Sequence, residues 1–238
     1  MKQSWHFHEN SSQADLLALY QAFLGHELLN ELVAAQGLAR MLGETATEFS
    51  ESNQLLLKRL ADRLRETDQQ TRQLAELGRF LRTPAYGPVW SVEAVIQETL
   101  LQMSALSARP DIKYSSSVTV KNLRVSEHWF RRLTLELLRN AQQAIAAAGS
   151  AGQVLVQLGE ESGRCVLGVR DNGIGFSQKE GAILWQPFQP GRRFRSLGGG
   201  FGFFLIRQIL QRWRGSLQIE SVPGDTRVAV AFAPTEEL

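Results

Sequence analysis

The chain has 238 residues, of which 43% are hydrophobic and 21% charged, and its 26 basic residues nearly balance 24 acidic ones. This length can bury a sizeable core and is typical of two domains rather than one. A net charge of +2 is too small to favour nucleic acid or anionic lipid as a partner. The one cysteine, Cys165, excludes an internal disulfide and is interpreted as a small buried hydrophobe in a reducing compartment.

Membrane and targeting signals are missing from the sequence. No stretch of about 18 apolar residues occurs in it, and the N-terminus lacks the apolar segment of a signal peptide. We therefore predict no membrane segment in this chain and a cytoplasmic location. Residues 1–14 are too few for a sensor domain and are predicted to be an N-terminal extension.

Residues 15–83 have the spacing of two long amphipathic helices. From Asp15 to Leu42 apolar residues recur at three, four and seven positions, and the seam continues from Leu57 to Leu81 beyond a polar segment at 43–53. Two long helices joined by a short loop form an antiparallel hairpin. The hairpin alone has too little interior for its apolar stripe, so we expect two copies to form a dimeric four-helix bundle.

Prolines at 84 and 88 end the second helix, so residues 84–90 are predicted to be a linker that contains a hinge near Thr83 to Pro88. Residues 91–238 mix helical and strand patterns. The order of these elements predicts an α/β sandwich, one sheet covered on one face by helices. Helices are expected after Ser91, from Ser126 to Ala148 and at 201–213, and strands at 118–120, 154–158, 165–169, 217–220 and 227–232.

His26 begins the first group of residues suited to chemistry. Glu27 is its neighbour, and Asn30 lies one helical turn further on the same face. A neutral imidazole is a nucleophile, an adjacent carboxylate can take its ring proton, and an amide can hold a water. A solvated histidine on an amphipathic helix is the alternative, and these residues alone leave it open.

A second group lies in the helix from Ser126 to Ala148, where Glu136 and Asn140 share a face by i, i+4 spacing. An amide oxygen is a suitable Mg²⁺ ligand when nucleotide phosphates supply the other oxygens. A polar face on a surface helix explains the same two residues.

Two glycine-containing segments follow. Gly173 and Gly175 allow a sharp turn close to a flat ligand, and the carboxylate of Asp171 can accept a hydrogen bond from an exocyclic amine such as that of adenine. An ordinary Asx turn is the alternative. Further on, Gly198–Phe203 precedes an apolar helix whose N-terminal N–H groups form a phosphate site. No Walker loop is present, because no Gly-Lys-Ser/Thr follows.

In this order, the four groups resemble the sensor histidine kinases of two-component signalling, from about Leu16 to Ala233. The resemblance implies that His26 is the H-box phosphoacceptor, with Glu27 as its base and Asn30 supporting a phosphatase reaction. It also implies that Asn140 is the Mg²⁺-binding asparagine of the N box, with Glu136 as a second candidate ligand. The resemblance also implies three nucleotide-binding boxes. The G1 box would comprise Asp171, Gly173 and Gly175, and the G2 box Gly198, Gly200 and Gly202. The F box would be Leu184–Phe188, in which Phe188 is the candidate binding residue.

The sequence departs from the family pattern in four places. Glu136 replaces a first N-box asparagine and stands where related ATPases keep a water-activating glutamate, and Gln143 replaces the usual lysine at the cofactor site. Glu31 replaces a helix-bending proline after the H box. The last glycine motif is reduced to Gly224-Asp225-Thr226, which is one residue short.

The resemblance implies the Bergerat ATP-binding fold shared with gyrase, Hsp90 and MutL for residues 91–238. It implies a homodimeric kinase core that uses ATP and Mg²⁺ to phosphorylate His26 and passes the phosphoryl group to the receiver domain of a response regulator. A lid over 181–200 would carry Arg192, Arg193 and Arg195 towards the phosphates. The alternatives are a dimeric histidine phosphotransfer protein with an inactive ATP domain, and an ATPase of the wider superfamily that uses Glu136.

Overall fold

The computed structural model of the chain describes residues 3–7, 33–35, 37–38, 40–42, 52–53, 55–64, 67, 83–106, 111–149, 151–176 and 202–233. The chain divides into two compact units. The sheet unit comprises Met1–Asn10 and Thr83–Leu238, and the helical unit comprises Ser11–Arg82. The chain therefore leaves the sheet unit after residue 10 and returns to it at residue 83.

The strands of the sheet unit form a large sheet and a small one. Six strands form the large sheet in the order β1-β7-β8-β6-β5-β3, and β2 pairs with β4. Neighbours in the large sheet are antiparallel, except that β3 and β5 are parallel. The strands are β1 (Gln3–Phe7), β2 (Tyr86–Ser91), β3 (Ile112–Val118), β4 (Asn122–Val125), β5 (Gly152–Glu161), β6 (Arg164–Asp171), β7 (Ser216–Val222) and β8 (Asp225–Phe232).

Three helices pack on the large sheet: α1 (Val92–Leu106), α2 (Glu127–Ala148) and α3 (Gly202–Arg212). In β5 the side chains of Val154, Val156 and Leu158 are buried, while Gln153 and Gln157 are exposed. This alternation with period two directs one face of the sheet to the helices. The predicted α/β sandwich is confirmed, and α2 contacts both β5 and β6 as well as the other two helices.

A cluster of aromatic side chains ties the elements of this unit together. Ring centroids lie 5.0 Å apart for Trp90 and Phe130, 6.3 Å for Phe130 and Phe232, and 5.2 Å for Trp213 and Phe232. The four rings join β2, α2, β8 and the residue that follows α3. Each such pair contributes about 0.5–1.5 kcal/mol beyond the burial of its surface.

The residues predicted to be a linker belong instead to the sheet unit. Five of them, residues 86–90, lie in β2, whose register with β4 shifts between Tyr86 and Trp90 and so accommodates Pro88. The carbonyl oxygen of Ala85 accepts hydrogen bonds from the Ser126 N–H (2.9 Å) and from Trp213 Nε1 (3.0 Å). Ala85 is thus anchored within the sheet unit, and the hinge near Thr83 to Pro88 stays a prediction.

Other elements differ from the sequence prediction at their ends. Residues 3–7, predicted to be an extension, form β1 at the edge of the large sheet. The strand predicted at 118–120 overlaps β3 only at Val118, where β3 ends. Three consecutive serines in β3 interrupt the alternation of apolar residues on which the prediction relied. α1 begins at Val92 and α2 at Glu127, as predicted, although Ser126 makes no side-chain capping bond.

The described residues of the helical unit, which lie between 33 and 67, are helical. They include residues 52 and 53, which belong to the polar segment predicted to be the loop between the two helices. Pairing of two helices as a hairpin, and of two hairpins as a bundle, stays a prediction. Across the described residues, no helix has both the length and the apolar character needed to cross a membrane.

Candidate nucleotide site

Glu136 and Asn140 lie one turn apart on α2, and both face the first residue of α3. A Cβ atom built on Gly202 would lie 2.6 Å from Glu136 Oε2 and 3.8 Å from Asn140 Oδ1. The absence of a side chain at Gly202 thus allows two oxygen atoms to approach the N-terminus of α3. Helix N-termini carry unpaired N–H groups and a partial positive charge, which attract phosphate.

Two arginines hold the carboxylate of Glu136, which is only 8% exposed. Arg132 Nη1 lies 2.5 Å and Arg139 Nη1 3.1 Å from Glu136 Oε1. Both pairs lie within α2, at i, i+4 and i, i+3 spacing, so the helix itself supplies the geometry. One oxygen of Glu136 is therefore engaged by cations, while the other faces Gly202.

Asp171 ends β6 beneath the loop that contains Gly173 and Gly175. Its Oδ1 accepts the Gly173 N–H at 2.9 Å, and the Ile174 N–H donates to the Ala144 carbonyl oxygen at 3.2 Å. A Cβ on Gly173 would lie 2.5 Å from the carbonyl carbon of Ala144. We call residues 171–176 the Asp171 loop; it lies against α2 one turn beyond Asn140, a position that only glycine permits.

The turn between β7 and β8 holds the other side of the Asp171 loop. The Phe176 N–H donates to Ser221 Oγ (2.9 Å), which lies 2.8 Å from Thr226 Oγ1, and both hydroxyl residues are buried. The Gly224 N–H donates to the Gly173 carbonyl oxygen at 2.8 Å. Sequence reasoning missed Ser221 and named Thr226 only as part of the last glycine motif; each lies one residue outside a predicted strand, at 217–220 or at 227–232.

Burial raises the pKa of the Asp171 carboxyl well above its ordinary value, to about 7. The hydrogen bond from Gly173 lowers this pKa, and the negative charge of Asp225 raises it further. The free protein thus keeps a carboxylate with little solvation at the base of the loop. Such a carboxylate benefits from a ligand that donates a hydrogen bond to it.

We expect Asp171→Asn to stabilise the ligand-free chain at pH 8 by on the order of 1–3 kcal/mol. The unfolded carboxyl ionises near pH 4, whereas the folded one stays protonated up to about pH 7. Stability of the wild type therefore falls as pH rises from about 4 to 7, and the asparagine variant escapes this loss. Urea unfolding of both proteins at pH 5 and 8 measures their free energies of unfolding. If the two proteins differed in stability by the same amount at both pH values, the raised pKa of Asp171 would be contradicted.

The structure brings together two groups of predicted site residues along α2. Glu136, Asn140 and Gly202 form one group, and Asp171, Gly173 and Gly175 the other. Gln143 is half-buried on α2 between the two groups. The remaining predicted site residues lie outside the described residues, namely His26, Glu27, Asn30, Phe188, Gly198, Gly200, Arg192, Arg193 and Arg195.

The described residues fit an ATP·Mg²⁺ ligand in three respects. Within the described part of the chain, Asn140 Nδ2 is buried without a hydrogen-bond partner, so the side chain has bonding capacity for a ligand. Glu136 and Asn140 also supply the oxygen donors that Mg²⁺ prefers. The Asp171 carboxylate can accept a hydrogen bond from a flat ring that carries an amine.

Comparison with known proteins agrees with this arrangement. Residues 125–237 match the family model of histidine kinase-, DNA gyrase B-, and HSP90-like ATPases. The sensor histidine kinase ZraS of Klebsiella oxytoca is 26% identical over 217 residues, which is 90% of this chain and 45% of that protein. The histidine-protein kinase AtoS of Escherichia coli K12 is 26% identical over 222 residues, 90% of this chain and 34% of that protein.

Solved structures of histidine kinases share the fold. The Acinetobacter baumannii histidine kinase AdeS has a TM-score of 0.66 at 15% identity and covers 89% of this chain and 98% of its own. The histidine kinase ThkA, solved in complex with response regulator protein TrrA, has a TM-score of 0.67 at 13% identity. The match covers 94% of this chain and 63% of the ThkA chain.

The chain spans less than half the length of the two curated relatives. The chain is therefore similar to sensor histidine kinases over 90% of its length, and its residues 125–237 match the family model of histidine kinase-, DNA gyrase B-, and HSP90-like ATPases.

Proposed function

We propose that this chain is the kinase core of a two-component system, which uses ATP and Mg²⁺ to phosphorylate His26. The observation that supports this best is the inner face of α2. Glu136, Asn140 and Ala144 follow one another at single turns over about 12 Å. Ala144 contacts the Asp171 loop, and Glu136 faces the N-terminus of α3. One helix face thus connects a site for the adenine with a site for the phosphates.

In this proposal an imidazole nitrogen of His26 attacks the γ-phosphorus of ATP. An N–P bond forms while the bond from that phosphorus to the bridging oxygen of the β-phosphate breaks, ADP leaves, and Glu27 accepts the ring proton. Asn140, together with Glu136, would hold Mg²⁺, which neutralises charge on the phosphates. Asp171 would orient the nucleotide by accepting a hydrogen bond from the adenine amine.

The proposed acceptor of the phosphoryl group is an aspartate in the receiver domain of a response regulator. The likeness to ThkA, which was solved in complex with response regulator protein TrrA, supports this partner. The N–P bond would break as the carboxylate attacks phosphorus and His26 leaves. Asn30, predicted to lie one turn from His26, would hold a water for the phosphatase reaction, in which that water attacks the phosphorus of the aspartyl phosphate and the aspartate leaves.

Exposed apolar side chains in the helical unit support the proposed homodimer. Five side chains are between 41% and 58% exposed, namely Val33, Met41, Leu55, Leu57 and Leu64. Apolar side chains that recur along helices in this way are commonly covered by a partner. A second copy of the hairpin, forming a four-helix bundle, is the proposed cover.

An ATPase that uses Glu136 as a base is the second candidate, because Glu136 Oε2 faces the N-terminus of α3. The ion pairs of Glu136 with Arg132 and Arg139 favour a structural or metal-binding role instead. The kinase proposal predicts that Glu136→Gln keeps at least about a tenth of the wild-type His26 phosphorylation, since a positioning contact is lost rather than the nucleophile.

Phosphate release and phosphoprotein formation, measured in parallel, distinguish these candidates. His26→Gln is the matched variant for Glu136→Gln. Loss of phosphoprotein in His26→Gln alone supports the kinase. Turnover that survives His26→Gln and disappears in Glu136→Gln would establish the ATPase. A chain that binds no nucleotide would instead be the phosphotransfer protein.

A further inference from the structure

β1 (Gln3–Phe7) covers an edge of the large sheet with a segment that precedes the helical unit in the chain. It pairs with β7 in antiparallel register along its whole length, from Gln3 opposite Ser221 to Phe7 opposite Leu217. Without β1, the backbone N–H and C=O groups on that side of β7 would have no strand beside them. β1 therefore stabilises β7 through backbone hydrogen bonds.

The residue of β7 opposite Gln3 is Ser221, which holds the Asp171 loop. Ser221 Oγ accepts the Phe176 N–H at 2.9 Å, and Gly175 passes so close that a Cβ there would lie 2.8 Å from this oxygen. Ser221 Oγ also lies 2.8 Å from Thr226 Oγ1, and Thr226 is the β8 partner of Asp171. A shift of β7 at Ser221 is thus transmitted directly to both ends of the loop.

The connections of the chain give β1 a means of control. After β1 the chain enters the helical unit that contains His26, and it returns to the sheet unit at Thr83. The returning strand is anchored by Ala85, whose carbonyl oxygen accepts two hydrogen bonds. β1 therefore lies just before the point where the chain leaves the sheet unit, and among the described strands it pairs only with β7.

We propose that β1 is a coupling strand, whose docking on β7 stabilises the Asp171 loop and whose release lowers affinity for the nucleotide. The proposal rests on the proposed function in taking that loop as the adenine site. In this scheme a displacement at the start of the helical unit changes nucleotide affinity without touching the site. The bistable element is β1, either docked on β7 or released from it.

Deletion of residues 2–8 from the full chain tests this coupling. We expect affinity for Mg²⁺·ADP, measured by calorimetry, to fall about 2- to 30-fold. Amide hydrogen exchange should accelerate in Ser216–Val222 and at Phe176. In the Ser221→Ala background the same deletion should reduce affinity less, because the contact that transmits the effect is already lost. An added peptide of residues 1–9 should restore affinity in the deletion variant.

Proline substitutions provide a second test should the deletion prevent folding. Successive residues of an antiparallel strand direct their N–H groups alternately towards and away from the partner. Of Trp5→Pro and His6→Pro, one should behave like the deletion and the other nearly like wild type. Unchanged exchange in β7 would show that β1 is not docked, and faster exchange with unchanged affinity would disprove the coupling. A wild-type chain that binds no ADP would refute the proposed function, while exchange in β7 still decides whether β1 docks.

Discussion

Asp171→Asn is expected to weaken binding of Mg²⁺·ATP by about 100-fold, or about 2.7 kcal/mol. Asp171 Oδ1 already accepts the Gly173 N–H, so the second carboxylate oxygen is the proposed acceptor for the adenine amine. An asparagine that keeps the bond to Gly173 presents its NH₂ group to that amine, and two donors then face each other. The variant should also lose the preference for ATP over GTP, which calorimetry with both nucleotides measures.

Glu160→Gln is the matched control for this substitution. Glu160 is an exposed carboxylate on β5 at the end far from Asp171, because Val154 is the partner of Asp171 whereas Glu160 is the partner of Cys165. It should leave affinity for both nucleotides unchanged. Equal loss in the two variants, or none in Asp171→Asn, would remove Asp171 from the adenine site. Since Asp171→Asn is also expected to stabilise the free protein at pH 8, loss of binding cannot arise from unfolding.

Gly173→Ala is expected to reduce nucleotide affinity at least about 10-fold and to destabilise the chain by about 1–3 kcal/mol. The added Cβ would lie 2.5 Å from the Ala144 carbonyl carbon and 2.8 Å from its oxygen. These are backbone atoms in the last turns of α2, so the loop rather than the helix must move. Its movement would break the Ile174–Ala144 hydrogen bond and displace Asp171 relative to Asn140.

Gly87→Ala is the control for the loss of a glycine. Gly87 lies in β2, and a Cβ built there meets no atom within 4 Å. This variant should bind nucleotide like wild type. Thermal unfolding and calorimetry on both variants measure the two effects. Wild-type affinity in Gly173→Ala would mean that the Asp171 loop does not form the nucleotide site.

Much of the sheet unit could be predicted from the sequence because its signals are local. The apolar face of α2 repeats with the helical period, β5 and β7 alternate with period two, and Gly149 at φ 70° ends α2 where the pattern ends. The two nucleotide-site groups, Asn140 with Glu136 and Asp171 with its glycines, were also identified, because each is a short motif on one element or loop.

What the sequence could not reveal depends on contacts between distant segments. β1 forms by pairing with β7, which lies more than 200 residues further along the chain. Nothing within residues 3–7 predicts that pairing. Pro88 signals a break in a helix, yet a strand with a shifted register tolerates it. Ser221 is an ordinary strand residue until the fold brings its hydroxyl to Phe176 and Thr226.

Incubation with γ-labelled ATP and Mg²⁺ tests the kinase proposal most directly. Wild type, His26→Gln and Asp171→Asn are compared, and the label is tested for the acid lability of a phosphoramidate. The account predicts acid-labile label on the wild type alone, with ATP binding retained by His26→Gln and lost from Asp171→Asn. Label that persists in His26→Gln, or an unlabelled wild type that binds ATP and hydrolyses it to free phosphate, would contradict it.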